Sequence, residues 1–151
     1  MYQSPESFTN ELVNFYEYLK PIDLSRLDFF YADTASFKDP FNQVSGTSAI
    51  KNIFSHMFDT LVHPKFSVTH KINDSHQAFL CWDFSFSVKS TPKTIFNVRG
   101  STHLLFEIDA QGFIKIMSHR DYWDPAEEIY EKIRGIGGFF RWIKKRSSAP
   151  P

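Results

Sequence analysis

The run His119-Arg120-Asp121-Tyr122-Trp123-Asp124, followed by Pro125, holds the residues of this chain best suited to chemistry. On an extended strand His119, Asp121 and Trp123 project to one face, Arg120 and Tyr122 to the other. An imidazole and a carboxylate two residues apart on one face can share a proton or orient a water, the minimum for general acid–base catalysis. The same pair can equally be a salt-bridged strand end. Asp124 stands apart: with Pro125 after it and Glu127 at the third helical position, it reads as a helix N-cap.

Other candidates lie upstream. Arg99 shares a strand face with Asn97, Ser101 and His103, either the solvent side of a sheet or a polar stripe inside a cavity. Asp83, flanked by Trp82 and Phe84, faces away from those rings or lies among them, and if buried it needs a partner such as Arg99 to offset desolvation. Asp39 precedes Pro40, a pairing that suits a turn as well as a site. Trp82, Phe84, Phe86, Phe96 and Trp123 either wall a ligand cavity or fill a core. His56, His63, His70, His76 and His103 have no ligand-like spacing, so no metal is expected. No glycine-rich phosphate loop or nucleophile elbow is present, and no cofactor is expected.

The elements that must position these groups are bounded by composition. A chain of 151 residues, 42% hydrophobic, suffices for one core and leaves little room for two. Lysine plus arginine and aspartate plus glutamate both number 17, so no global field points to nucleic acid. The excess is aromatic: 17 phenylalanines imply a thick aromatic core or a cavity walled by rings. Cys81 is the lone cysteine, no secretory signal opens the chain and no apolar run reaches membrane-spanning length, so a cytoplasmic location is the default expectation.

Periodicity divides the chain. Ser4-Pro5 caps a helix carrying Phe8, Leu12, Phe15 and Leu19, and Pro21 ends it. Asp23 caps a short second helix, residues 31–39 read as a strand, and Gly46-Thr47 opens a third helix with Ile50, Ile53, Phe54, Met57 and Leu61 on one side, ending before His63-Pro64. From Phe66 the period becomes two, a meander of antiparallel strands. Along it Leu80, Trp82, Phe84, Phe86 and Val88 share a face, as do Phe96, Val98, Gly100, Thr102, Leu104 and Phe106. Gly100 within so long a strand predicts a bulge or bend. Helices first and long strands afterwards make an α+β fold, a curled sheet covered by helices on one face.

Phe37-Lys38-Asp39-Pro40 before Gly46 and an amphipathic helix, then the long strands, then Arg120-Asp121-Tyr122-Trp123-Asp124, together resemble the SnoaL-like branch of the nuclear transport factor 2 superfamily. The resemblance runs from about Phe8 to Ile133. It implies a cone-shaped barrel, a strongly bent antiparallel sheet wrapped round N-terminal helices, homodimeric, with a pocket inside. Ketosteroid isomerases, polyketide cyclases, limonene epoxide hydrolases and dehydratases share that fold with many pockets of no known chemistry. The Arg-Asp-Tyr-aromatic-Asp ending is similar to that of limonene epoxide hydrolase, which implies that Asp121 activates water and that Arg99 matches its arginine. Ser101 stands where that enzyme has a second aspartate. Ketosteroid isomerases use an Asp base opposite a Tyr and a carboxylic acid, for which Asp39, Tyr16 and Asp83 are available residue types.

The resulting expectation is a cone domain over residues 1–134, a basic amphipathic extension over 135–146 and a disordered tail over 147–151. Its pocket, lined by Tyr16, Trp82, Asp83, Phe84 and Trp123, would take a small apolar or polycyclic ligand. Asp121 would act as base, with His119 or Arg99 as electrostatic partner and Asp39 as a further candidate, in an isomerisation, cyclisation, dehydration or hydration. The rival expectation is a non-catalytic module that holds a ligand or a protein. In the extension, Phe139, Phe140, Arg141, Trp142, Lys144, Lys145 and Arg146 either pack on the sheet or a partner, or make weak, salt-sensitive contact with a membrane surface.

Overall fold

The computed structural model describes residues 4–128. The basic extension and the tail expected after residue 134 lie outside them.

Ser4 starts the first helix as its type predicts: its hydroxyl accepts the Ser7 N–H at 3.1 Å, and Pro5 stands where a missing N–H costs nothing. Helix α1 (Pro5–Glu17) buries Phe8, Leu12, Phe15 and Tyr16 along one stripe. A 3-10 turn over Pro21–Arg26 leads to the single turn α2 (Leu27–Phe30), whose Phe30 ring packs on both Phe8 and Phe15. Helix α3 (Thr47–Thr60) follows Gly46, whose φ of 92° favours glycine.

The strands are β1 (Tyr31–Lys38), β2 (Gln43–Ser45), β3 (Leu61–Asn73), β4 (Gln77–Val88), β5 (Thr91–Ile108) and β6 (Ile114–Tyr122). They form one sheet in the order β2-β1-β6-β5-β4-β3. Neighbours are antiparallel except β1 and β6, which run parallel. The sheet is therefore mixed where the sequence predicts an antiparallel one. The hairpins from β3 to β6 carry the chain back beside β1, and a connection of that length can join parallel strands as a tight turn cannot. β2 goes unpredicted because three residues are too few to display a period of two.

Helix α3 touches β1 and β2 at one end of the strand order and β3 at the other, so the sheet wraps round it. The edges β2 and β3 do not pair with each other, and the cone stays open. Phe8, Leu12, Leu27, Phe30, Ile50, Leu104 and Ile116 are fully buried between helices and sheet. No helix of the described residues is long and apolar enough to cross a membrane.

At His63-Pro64 and at Gly100 the structure differs from what the sequence predicts. β3 begins directly after α3 and runs through His63-Pro64, whereas the sequence pattern of alternation starts only at Phe66. His63 takes a φ of 51° and the pairing with β4 skips from Val62 to Lys65, a bulge that an edge strand accommodates together with its proline. Gly100, by contrast, sits in unbroken register opposite Trp82, and no bulge forms there. Its missing side chain makes room for a ring, since a Cβ on Gly100 would lie 2.4 Å from Cη2 of Trp82.

Gly100→Ala should therefore displace the Trp82 indole and lower stability by about 1–3 kcal/mol through overpacking. Urea unfolding followed by tryptophan fluorescence measures this, and an unchanged midpoint would mean that the ring moves aside freely.

Candidate active site

Strand alternation turns His119, Asp121 and Trp123 toward the inside of the cone, while Arg120 lies outside with its guanidinium 4.8 Å from the centre of the Tyr122 ring. Register then chooses the neighbours. Asp121 stands directly opposite Thr102 on β5, and His119 stands beside Phe37 on β1, their ring centres 4.5 Å apart.

Two strings of hydrogen bonds converge on Oδ1 of Asp121. In the first, the Trp82 indole N–H donates to the Thr102 hydroxyl at 2.8 Å, and that hydroxyl donates to Oδ1 at 2.5 Å. In the second, Nε2 of His119 lies 2.8 Å from the same oxygen, and Nδ1 of His119 lies 2.7 Å from the Tyr31 hydroxyl, which is bonded in turn to that of Tyr16. A carboxylate only accepts, so Nε2 carries the proton. In the neutral imidazole Nδ1 accepts from Tyr31, and Tyr31 accepts from Tyr16. Every donor in both strings is satisfied. Oδ2 of Asp121 has no hydrogen-bond partner among the described residues, and the Asp121 side chain keeps 18% of its surface accessible against 5% for His119.

Asp121, His119, Thr102, Trp82 and Tyr16 stand at one wall of a cavity of about 680 Å³, within the range that holds drug-sized ligands. Its other walls are largely apolar: Phe66, Phe84 and Phe86 from the sheet, Ile53 and Met57 from α3. The Phe41 ring meets Trp123 edge-on at 5.5 Å. The described residues contain no cluster of side chains fit to hold a metal ion.

Residues 12–117 match the family of the SnoaL-like domain. The chain belongs to that family. Among solved structures, this SnoaL-like domain is similar to a hypothetical protein of ketosteroid isomerase-like fold from Catenulispora acidiphila, in complex with trimethylamine, at 16% identity and a TM-score of 0.65 over 83% of this chain and 91% of that one. It is also similar to an NTF2-like protein of unknown function from Burkholderia pseudomallei, at 13% identity and a TM-score of 0.67 over 81% and 94% of the two chains. A SnoaL-like polyketide cyclase candidate from Shewanella denitrificans aligns at 16% identity and a TM-score of 0.61 over 79% and 89%. At such identities these likenesses establish the cone fold alone. No curated protein matches the sequence.

Of the site residues named from sequence, the SnoaL-like domain brings Asp121, His119, Tyr16, Trp82, Phe84, Trp123 and Asp39 to the cavity wall. Arg99 and Asp83 are corrected. They pair across β4 and β5, each between inward-facing neighbours, so both point to the outer face, where they form an ion pair at 3.3 Å with the Arg99 side chain 84% exposed. Neither can act on a ligand in the cavity. Asp39 lines the mouth, but its Oδ1 accepts the N–H groups of Phe41 at 2.7 Å and Asn42 at 2.6 Å, and Nδ2 of Asn42 bonds its carboxylate as well. It holds the turn into β2. Asp124 caps α4 (Pro125–Glu128) by accepting from Ala126 N–H at 2.9 Å, as its position before proline predicts.

Sequence reasoning missed Thr102 and Tyr31. A hydroxyl on the apolar face of β5, among Val98, Leu104 and Phe106, was the available signal for Thr102. Tyr31 gave none, because its contact with His119 depends on the parallel pairing of β1 with β6.

Burial holds both phenols protonated well above the usual tyrosine range. For Tyr16 desolvation dominates, opposed in part by the bond with Tyr31 and reinforced by the charge of Asp121. For Tyr31 desolvation leads, and Tyr16 and Asp121 push the same way. The folded chain thus retains protons that the unfolded chain releases above about pH 10, so this contribution to stability is complete below that pH and is lost as pH rises beyond it. Thermal unfolding across an alkaline pH series should show a flat Tm followed by a fall, and Tyr31→Phe should fall less steeply; equal slopes would count against the phenol pair. Arg99→Ala, in turn, should leave stability within about 0.5 kcal/mol of the parent, because an exposed ion pair contributes little. Chemical denaturation measures it, and a larger loss would contradict the outer placement.

Proposed function

We propose that this SnoaL-like domain is a cofactor-independent acid–base enzyme. Its cavity takes a small, largely apolar ligand, and Asp121 serves as general base in an isomerisation, cyclisation, dehydration or hydration. The observation that carries this reading is the state of the Asp121 carboxylate: Oδ1 bonded to Thr102 and His119, Oδ2 unpartnered among the described residues, in a largely apolar cavity.

The geometry supports the role in three ways. Two hydrogen bonds to one oxygen fix the direction of the carboxylate, so the other oxygen meets a bound ligand in a set orientation without reorganisation. A ligand seated against the apolar walls would displace water that competes for the proton or solvates the base. His119 is itself fixed by Tyr31 on its far side, so the support does not rest on a loose side chain.

In such a step Oδ2 takes a proton from a carbon acid or a bound water, the released electron pair moves into the ligand, and the carboxyl group later returns the proton to ligand or solvent. Asp121→Asn keeps an oxygen for Thr102 and His119 and removes the base. A general probe of a carboxylate in an apolar cavity is 5-nitrobenzisoxazole: the base takes the C3 proton, the N–O bond breaks with its electrons going to oxygen, and 2-cyano-4-nitrophenolate forms. Asp121→Asn should lower the rate of phenolate formation by about 10²–10⁴-fold while shifting Tm by less than about 4 °C. A parent rate no faster than that of the variant would defeat the proposal, and a collapse of Tm would mark Asp121 as structural.

A further inference from the structure

We propose that the cavity accepts uncharged apolar molecules and rejects anions of the same shape; this names the substrate class of the Asp121 site and rests on the cavity being the ligand site.

The carboxylates lining the cavity, Asp121 and Asp39, carry one sign of charge, and no lysine or arginine lines it among the described residues. Nearby cations are turned away or engaged elsewhere. Arg99 pairs with Asp83 on the outer face, Arg120 lies over Tyr122, and Lys115 donates to the carbonyls of Asp28 and Phe29 at the end of α2. Lys51 of α3 is held by Asp28 at 2.6 Å. Of the two imidazoles on the wall, His119 has both ring nitrogens engaged, by Asp121 and by Tyr31, and His56 stands on α3 with no hydrogen bond to Asp121 among the described residues. Asp39 is partly quieted by the amides of its own turn, which leaves Asp121 as the charge that a ligand meets inside.

Apolar walls make that charge count. Phe66, Phe84, Phe86, Ile53 and Met57 offer no dipoles to screen it, and Asn42, Asn52 and Thr60 are the uncharged polar side chains elsewhere on the wall that are not tied to Asp121. An anion about 5–6 Å from Asp121, in an effective dielectric of about 20, would bind roughly 100- to 250-fold more weakly than its uncharged analogue. A neutral ligand suffers no such loss and gains from contact with the rings. The chemistry agrees: a proton leaves an uncharged molecule more readily than it leaves one already carrying a negative charge beside the base.

The test is displacement of the uncharged fluorophore N-phenyl-1-naphthylamine from the full chain by a matched pair, naphthalene-1-sulfonamide and naphthalene-1-sulfonate, in which burying the rings buries the headgroup. The sulfonate should need about 100-fold more concentration than the sulfonamide. In Asp121→Asn that gap should shrink to about tenfold or less. Equal potency on the parent chain, a gap that Asp121→Asn leaves unchanged, or failure of the fluorophore to bind would each overturn the inference. Equal potency together with Asp121-dependent turnover of 5-nitrobenzisoxazole would defeat the charge selection and spare the base. An intact, Asp121-dependent gap without turnover would do the reverse.

Discussion

One oxygen atom of Asp121 is the acceptor on which the polar interior of this protein depends. A core filled with phenylalanine has few places for a hydroxyl, an indole N–H or an imidazole, because each buried donor without an acceptor costs about 1–3 kcal/mol. Trp82, Thr102, His119, Tyr31 and Tyr16 are tolerated there because their donors pass in sequence to a single carboxylate oxygen. Removing the acceptor would orphan the Thr102 hydroxyl and the His119 Nε2–H directly, and would free the two side chains on which Trp82 and Tyr31 in turn depend. The same arrangement that settles the account of buried donors also fixes the carboxylate, and stability and site geometry are not separable here.

Sheet register builds this network, and each contact comes from a different pairing. The antiparallel ladder of β5 and β6 sets Thr102 against Asp121, and that of β4 and β5 sets Trp82 against Gly100, whose bare backbone lets the indole lie across the strand toward Thr102. The parallel ladder of β1 and β6 brings Phe37 beside His119 and keeps Tyr31, at the start of β1, on the same inner surface. Helix α1 adds Tyr16 from the opposite layer. A residue slip in any ladder would turn its side chains to the other face.

That dependence on register explains what could be read from the sequence. The inward placement of His119, Asp121 and Trp123 needs only the alternation within β6, and the helices needed only their caps and stripes, so both were legible. The α+β class and the cone followed from the order of the elements and the family likeness. The face of Arg99 and Asp83 was undecided because alternation gives two faces and not which one is buried; Val98 and Trp82 decide it only once β4 and β5 are aligned. Tyr31 was invisible because strands far apart in sequence give no sign of a parallel pairing. Gly100 was misread for a related reason: a glycine signals a need for space or for bending, and the neighbour that requires the space stands on another strand.

The polarity of the hydrogen-bond strings limits the chemistry that this wall can support. Tyr16 lines the cavity, yet its proton is directed to Tyr31, and burial keeps both phenols from giving protons up. The Nε2 proton of His119 is likewise committed to Asp121, and Asp39 is bound into its own turn. Among the groups tied into these networks, Oδ2 of Asp121 is thus the position with capacity to take up a proton, and the proton it takes is the one most directly available to be returned. In the proposed role, a base arranged in this way would suit reactions that move a proton within one molecule, where a single carboxylate serves both halves of the step. Hydration or hydrolysis, in which a leaving oxygen must be protonated while water attacks from elsewhere, would need an acid from another wall, and His56 on α3 is the titratable side chain on that side of the cavity.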